Sequence, residues 1–164
     1  MVTELLEKSG KINYKTMHRH TNLNGIRLIK FFEGFRSKPY ICSGGHNTIG
    51  FGHKILAHEK FDYISRSEAE SILRNDLLCA EKSVLRNITS VLSDDQFAAL
   101  VSFTFNMGGS ALQRSTIRQK INYGQYKDAG LEFLRWVYAG GKILPGLVKR
   151  RKAEHNLFMS ENLN

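Results

Sequence analysis

Proline and cysteine are scarce in this 164-residue chain, two of each, and tryptophan occurs once. With 41% hydrophobic residues, so little proline argues against a disordered polymer and for a folded domain. Cys42 and Cys79 are too few for a disulfide framework, so the chain is expected to fold in a reducing compartment. A bridge between the two stays open at this point. No apolar run approaches the roughly 18 residues of a membrane span. Residues 1–24 lack the apolar centre of a secretory signal. The expectation is a protein made soluble in the cytoplasm, which needs another agent to let it past the inner membrane if it acts outside. Zinc-finger spacings, basic-zipper heptads and Walker loops are also missing, which lowers a nucleic-acid reading.

Acidic residues are outnumbered, 15 against 24 lysines and arginines, leaving a formal charge of +9. A polyanionic partner follows, and nucleic acid, an anionic membrane surface and bacterial wall polymer all qualify. The length suits one domain or one two-lobed unit with a sizeable core. Residues 1–21 are polar and mixed in charge, with a short apolar patch at Val2, Leu5 and Leu6. They read as an extension of unknown role, loosely held or forming a short helix.

The most informative stretch follows. Asn22 or Asn24 can cap a helix whose Ile26, Leu28, Ile29 and Phe32 form an apolar stripe, and Gly34 ends it. Glu33 closes that helix. A carboxylate there meets the negative end of the helix dipole, and Phe31, Phe32 and Phe35 make its neighbourhood apolar. Both effects are expected to push its pKa up, as suits a general acid. Gly44-Gly45, between Tyr40-Ile41 and Thr48-Ile49-Gly50-Phe51, signals a β-hairpin. Cys42 and Thr48 flank that turn and are expected to face each other roughly across the ladder.

The rest reads as helical. Ser65-Arg66-Ser67-Glu68 is a capping box, followed by Ile72, Leu73, Leu77, Ala80, Val84 and Leu85 at helical spacing. Ser93-Asp94-Asp95-Gln96 is a second, opening an apolar helix through Phe105 that stops at Gly108-Gly109. Helices over 115–123 and 127–138 follow, stopped by Gly124 and by Gly140-Gly141. A last helix starts near Pro145 and runs towards Met159.

The segments Glu33-Gly34-Phe35-Arg36, Lys38-Pro39-Tyr40 and Thr48-Ile49-Gly50-Phe51-Gly52-His53 closely resemble the phage-type lysozymes, or endolysins, a glycoside hydrolase family. The family pattern is glutamate, eight residues, aspartate or cysteine, five residues, threonine; Glu33, Cys42 and Thr48 fit it without gaps. The resemblance continues through residues 65–87, Phe105-Asn106-Met107-Gly108 and Leu144 to Arg151, and covers about residues 22–160. It implies a mostly helical α+β, lysozyme-like fold: a hairpin lobe over about 34–64 and a helical lobe over about 65–160, joined by a long helix.

It further implies hydrolysis of the β-1,4 bond between N-acetylmuramic acid and N-acetylglucosamine in peptidoglycan, with inversion. Glu33 would protonate the glycosidic oxygen, and Cys42 and Thr48 would hold the water. A thiol with an ordinary pKa of roughly 8.5 is mostly protonated at neutral pH. Either His46 or Arg36 lowers it, or water orientation matters more than proton removal. By the same resemblance, His53 pairs with Asp76 as a structural salt bridge rather than binding a metal. Phe105 and Asn106 are expected sugar contacts, with His46 a lesser candidate.

No metal or organic cofactor is implied. The expected partner is peptidoglycan, without nucleic acid or stable membrane insertion. The chain is expected to act as a monomer that waits in the host cytoplasm until a holin-like pore gives access to the wall. Trp136 reads as core packing, Cys79 as inert, and Lys149-Arg150-Arg151-Lys152 as a solvated basic helix face. Three alternatives remain open: a catalytically weak wall-binding module, a lytic transglycosylase using the same cleft, and a basic nucleic-acid-binding protein.

Overall fold

The computed structural model describes residues 19–160, so the expected patch at Val2, Leu5 and Leu6 lies outside the described residues. The chain runs α1 (Leu23–Glu33), a three-stranded antiparallel sheet of β1 (Arg36–Ile41), β2 (Asn47–Gly50) and β3 (His53–Lys54), then α2 (Arg66–Asn87) and α3 (Asp94–Met107). Then come α4 (Gly109–Arg114), α5 (Thr116–Asn122), α6 (Tyr126–Phe133), a two-stranded hairpin of β4 (Tyr138–Ala139) and β5 (Lys142–Ile143), and α7 (Pro145–Met159).

Local chemistry sets the main boundaries. Asn22 caps α1 by accepting from the Gly25 N–H at 3.0 Å. Both expected capping boxes form, Ser65 with Glu68 on α2 and Ser93 with Gln96 on α3. Their satisfied N–H groups start the long α2 and the core helix α3. The 22 residues of α2 span about 33 Å at the usual rise, which carries the chain from the sheet to the helical body. Helix α3 is enclosed on every side, with Gln96 through Thr104 all buried. Ile29 of α1, Leu73 and Leu77 of α2, Phe133 of α6 and Phe158 of α7 are fully buried in the same core. Packing α1 and α7 on one helix that is apolar nearly all round brings the first and last described helices together.

Three readings change. Arg19, His20 and Thr21 are pinned rather than loosely held: Arg19 donates to the Leu92 carbonyl and Asp94, and Thr21 donates twice to Glu81. The helix expected over 127–138 ends at Phe133, because Gly140 and Gly141, both at positive φ, turn a second hairpin. Gly109 does not merely stop α3. It opens α4, and a Cβ there would meet the Ser83 hydroxyl at 2.5 Å, so glycine is what lets α4 press on α2.

Candidate active site

Glu33 is the last residue of α1, and Gly34 at φ 69° turns the chain away immediately after it. Its carboxylate is not alone. Oε1 accepts from Arg150 Nη1 of α7 at 2.7 Å, and Oε2 lies where a Cβ on Gly52 would come within 3.2 Å. The side chain keeps 22% exposure, enough to reach a bound molecule. Phe32 lies under the Arg150 guanidinium at 5.6 Å, whereas Phe31 is 79% exposed and adds nothing apolar to the site. The cation in contact with Glu33 comes from 117 positions along the chain.

The basic run around it is therefore not a solvated face. Lys149 and Lys152 are exposed, but Arg150 and Arg151 are buried, and Glu154 between them is fully buried. Glu154 Oε1 accepts from Arg150 Nε at 3.2 Å, Arg151 Nη2 at 2.9 Å and the Ser102 hydroxyl at 2.7 Å. Arg151 Nε stands 2.7 Å from Glu154 Oε2, an ion-pair contact without hydrogen-bond geometry. Burial pushes the Glu154 carboxyl up and the Arg151 guanidinium down; the attraction between them opposes both. Arg151 also donates to the Asn106 side-chain oxygen at 2.9 Å. One buried carboxylate thus braces both Glu33 and Asn106 through neighbouring arginines.

At the hairpin, Thr48 pairs with Tyr40 and Asn47 with Ile41. Cys42 lies just past the ladder, its N–H on the His46 carbonyl at 2.9 Å. Cys42 and Thr48 are therefore diagonal neighbours on one face rather than opposite partners. Their side chains still meet. The Thr48 hydroxyl, which also reaches the His46 carbonyl at 3.0 Å, lowers the half-buried Cys42 thiol below its ordinary value. Main-chain groups of His46 and Gly44 add to this, with slight burial opposing. The lowering thus comes from a hydroxyl and turn amides, not from the exposed His46 ring or from Arg36, whose guanidinium stacks on Tyr40. Thr48 belongs to the strand whose exit turn, at Gly52, backs Glu33.

His53 sits between two carboxylates, Nδ1 on Asp76 at 2.8 Å and Nε2 on Glu59 at 2.9 Å. Burial pulls its imidazole down, but the bonds to Glu59 and Asp76 outweigh it and raise the value. Asp76 is also raised, because its own burial outweighs the imidazole contact. The pair's attraction is expressed on His53, which faces two acids where Asp76 faces one base. Among the described residues, no group of three or more His, Cys, Asp or Glu side chains is placed to hold a metal ion. Both cysteines are free thiols, and Cys79 is exposed.

This arrangement can be set beside known proteins. The phage lysozyme family model matches residues 30–154. The chain belongs to that family. An endolysin of Bacillus phage B103 is 41% identical over 138 residues, covering 83% of this chain and 52% of that protein. The chain thus spans about half the length of that relative. An endolysin of Acyrthosiphon pisum secondary endosymbiont phage 1 is 39% identical, covering 86% of this chain and 99% of that one. Among solved structures, the muramidase domain of SpmX from Asticaccaulis excentricus aligns with a TM-score of 0.78 at 32% identity, over 86% of this chain and 99% of that domain. The mostly helical α+β architecture is thereby a phage lysozyme fold, and the family is one of glycoside hydrolases.

For this member of the phage lysozymes, sequence reasoning missed Arg150, Glu154 and Gly52. Arg150 and Arg151 precede Glu154 by four and three residues, the spacing of helical ion pairs, so part of the network was readable as a local pattern. That the pattern faces inward, onto Glu33, was not. Phe105 is half-buried and lines a large cavity, and the exposed Asn106 is oriented by Arg151. Trp136 packs edge-on against Phe103 with centroids 5.2 Å apart, from a turn after α6 instead of from a helix.

Proposed function

We propose that this chain is an endolysin-type muramidase, cleaving the β-1,4 bond between N-acetylmuramic acid and N-acetylglucosamine in bacterial peptidoglycan. The observation that carries the reading is Glu33: a partly exposed carboxyl group fixed by Arg150 and backed by Gly52, at the exit of the strand that bears Thr48. Glu33 protonates the glycosidic oxygen as the anomeric carbon–oxygen bond breaks. Water held by Thr48 and Cys42 attacks that carbon from the opposite face, which inverts it. The lowered Cys42 thiol supports a second service. Its thiolate accepts the proton that the attacking water loses, so both protons are accounted for. Peptidoglycan reached through a holin-like pore, and action as a monomer, complete the proposal. Among the described residues no helix is long and apolar enough to cross a membrane.

Clearing of permeabilised Gram-negative cells tests it. Glu33→Gln is expected to lower the rate by about 10²–10⁴-fold, the usual worth of a general acid. Cys42→Asp keeps substantial activity. Equal loss in both variants refutes the water-holding role, and anhydro-sugar ends among the products would convert the assignment to a transglycosylase.

A further inference from the structure

Helix α1 buries one side and leaves the other bare. Gly25, Ile26 and Ile29 face the core, while Leu23, Arg27 and Phe31, four residues apart, form the opposite stripe and are all exposed. Phe31 is 79% exposed, so a ring with no polar atom stands in water over most of its surface.

Beside this stripe a hollow of about 390 Å³ lies between α1 and the start of α2. Every residue lining it is polar: Lys30, Arg66, Ser67, Glu70, Ser71 and Arg74. Glu70 is its one acid, and it is already answered twice, Oε2 by Lys30 and Oε1 by Arg74 at 3.1 Å. The Arg66 guanidinium lies 5.0 Å from the centre of the Phe35 ring and 5.9 Å from that of Phe51, and Lys30 Nζ stands 5.2 Å from the same Phe51 ring. The two rings steady Arg66, yet its N–H groups make no hydrogen bond or ion pair among the described residues. With Arg27, four cations meet one carboxylate on this face. The acids near the start of α1, Asp94 and Asp95, are engaged by Arg19, Asn22 and Asn24.

This face is turned away from the large cavity beside Phe105. Ser83 lines that cavity, and it follows Arg74 by nine residues, about two and a half turns, so the two side chains leave α2 on opposite sides.

We propose that the outer face of α1 and α2 docks on an anionic phospholipid surface. Arg66, Arg74 and Lys30 take headgroup phosphate oxygens, for which the planar fork of arginine is well shaped. Phe31 enters the boundary between headgroups and acyl chains, and the cations remain at the phosphate level. A soluble polyanion answers the cations but leaves Phe31 bare; a lipid interface accommodates both. The lipid contact stands on this face alone, and its use rests on the peptidoglycan reading: with its back on the membrane, the protein turns the cavity side outward to the wall.

The test is co-sedimentation of the whole protein with vesicles of phosphatidylglycerol and phosphatidylcholine in equal parts, beside vesicles of phosphatidylcholine alone and soluble glycerol 1-phosphate. Binding is expected to the mixed vesicles only, and to weaken as salt rises. Arg66→Gln, Arg74→Gln and Arg27→Gln are each expected to weaken it about fivefold, the worth of one basic residue at such a surface. Arg27 makes no contact that its loss would break, so that variant keeps the test clear of folding effects. Phe31→Ser is expected to weaken binding about tenfold, the scale of one buried apolar side chain. The added emission of Phe31→Trp should move to the blue on mixed vesicles and stay in place with glycerol 1-phosphate. All these variants are expected to digest membrane-free wall at the parent's rate. Equal binding to phosphatidylcholine alone, parental binding by Phe31→Ser, or an affinity for glycerol 1-phosphate matching that for mixed vesicles overturns the proposal and leaves the muramidase reading standing. Undiminished clearing by Glu33→Gln defeats that reading without touching vesicle binding.

Discussion

Replacing Glu154 by glutamine keeps the shape of a fully buried side chain and removes its charge. Four charged groups share this interior: Glu33 and Glu154 against Arg150 and Arg151, two of each sign. After the change two guanidinium groups face one carboxylate, and Arg151, wholly buried, loses its only ionic partner among the described residues. Removing one member of a buried pair costs about 3–5 kcal/mol, because the remaining charge stays desolvated. For a chain of this size each kcal/mol moves Tm by roughly 2–4 °C, so a fall of about 6–20 °C is expected. Activity falls as well, because the positions of Arg150 and Asn106 both depend on this carboxylate.

Thermal unfolding followed by circular dichroism, with wall clearing measured well below the lowered midpoint, separates the two effects. The companion variant Glu154→Leu with Arg151→Met replaces the pair by apolar groups. It is expected to recover most of the stability, as buried pairs exchanged whole usually do. A Tm within 2 °C of the parent for Glu154→Gln, with unchanged clearing, would refute the claim that these four groups form one braced unit.

Thr48→Val removes the hydroxyl that most lowers the Cys42 thiol, so alkylation of Cys42 by iodoacetamide at pH 7 is expected to slow, and a thiol titration should show its pKa moving up. Oxidants that consume this thiolate should inhibit the parent and spare Cys42→Asp. His53 is raised above its ordinary 6.5, so its stabilisation is complete below pH 6.5 and is lost as pH climbs through the folded value. Glu59 is held below 4.5, chiefly by the Leu56 N–H and then by His53, so its share is present above pH 4.5 and lost in acid. Asp76 works against this, giving up stability as pH rises from 3.8 through its raised value. Tm is therefore expected to decline from pH 6.5 to 8.5, and His53→Asn should flatten that slope. Gly52→Ala places a side chain at φ 85° and within 3.2 Å of Glu33 Oε2. A stability loss of about 1–2 kcal/mol from the left-handed conformation is expected, with a larger proportional loss of clearing; unchanged clearing would show that Gly52 does not position the acid.

Features written in a few adjacent residues were legible. The boxes at Ser65 and Ser93, the Asn22 cap, Pro145 at the start of α7 and the Gly44-Gly45 turn each specify a boundary within four residues, and each formed. Glycine was the ambiguous letter. Gly108-Gly109 reads as a stop yet lies between α3 and the short α4, and Gly140-Gly141 turns a hairpin that takes up Tyr138, which helical spacing assigns to the preceding helix. The first outcome depends on Ser83, which lies against Gly109 and is distant along the chain; the second rests on the positive φ of Gly140 and Gly141. The same limit hid the destination of Arg150. A basic run has the composition of a solvated face, and only the fold reveals that two of its members point inward at acids. Glu33, Cys42 and Thr48 could be picked out by their spacing, but the diagonal meeting of the last two needed the register.

The clamp on Glu33 has a consequence for timing. The acid belongs to the first helix of the described fold and its arginine to the last, so the two cannot meet until a ribosome has made α7. A product truncated upstream of α7 carries every residue of the hairpin yet nothing to steady the proton donor. In a protein read as destroying the wall of the cell that makes it, incomplete copies are left harmless by topology alone.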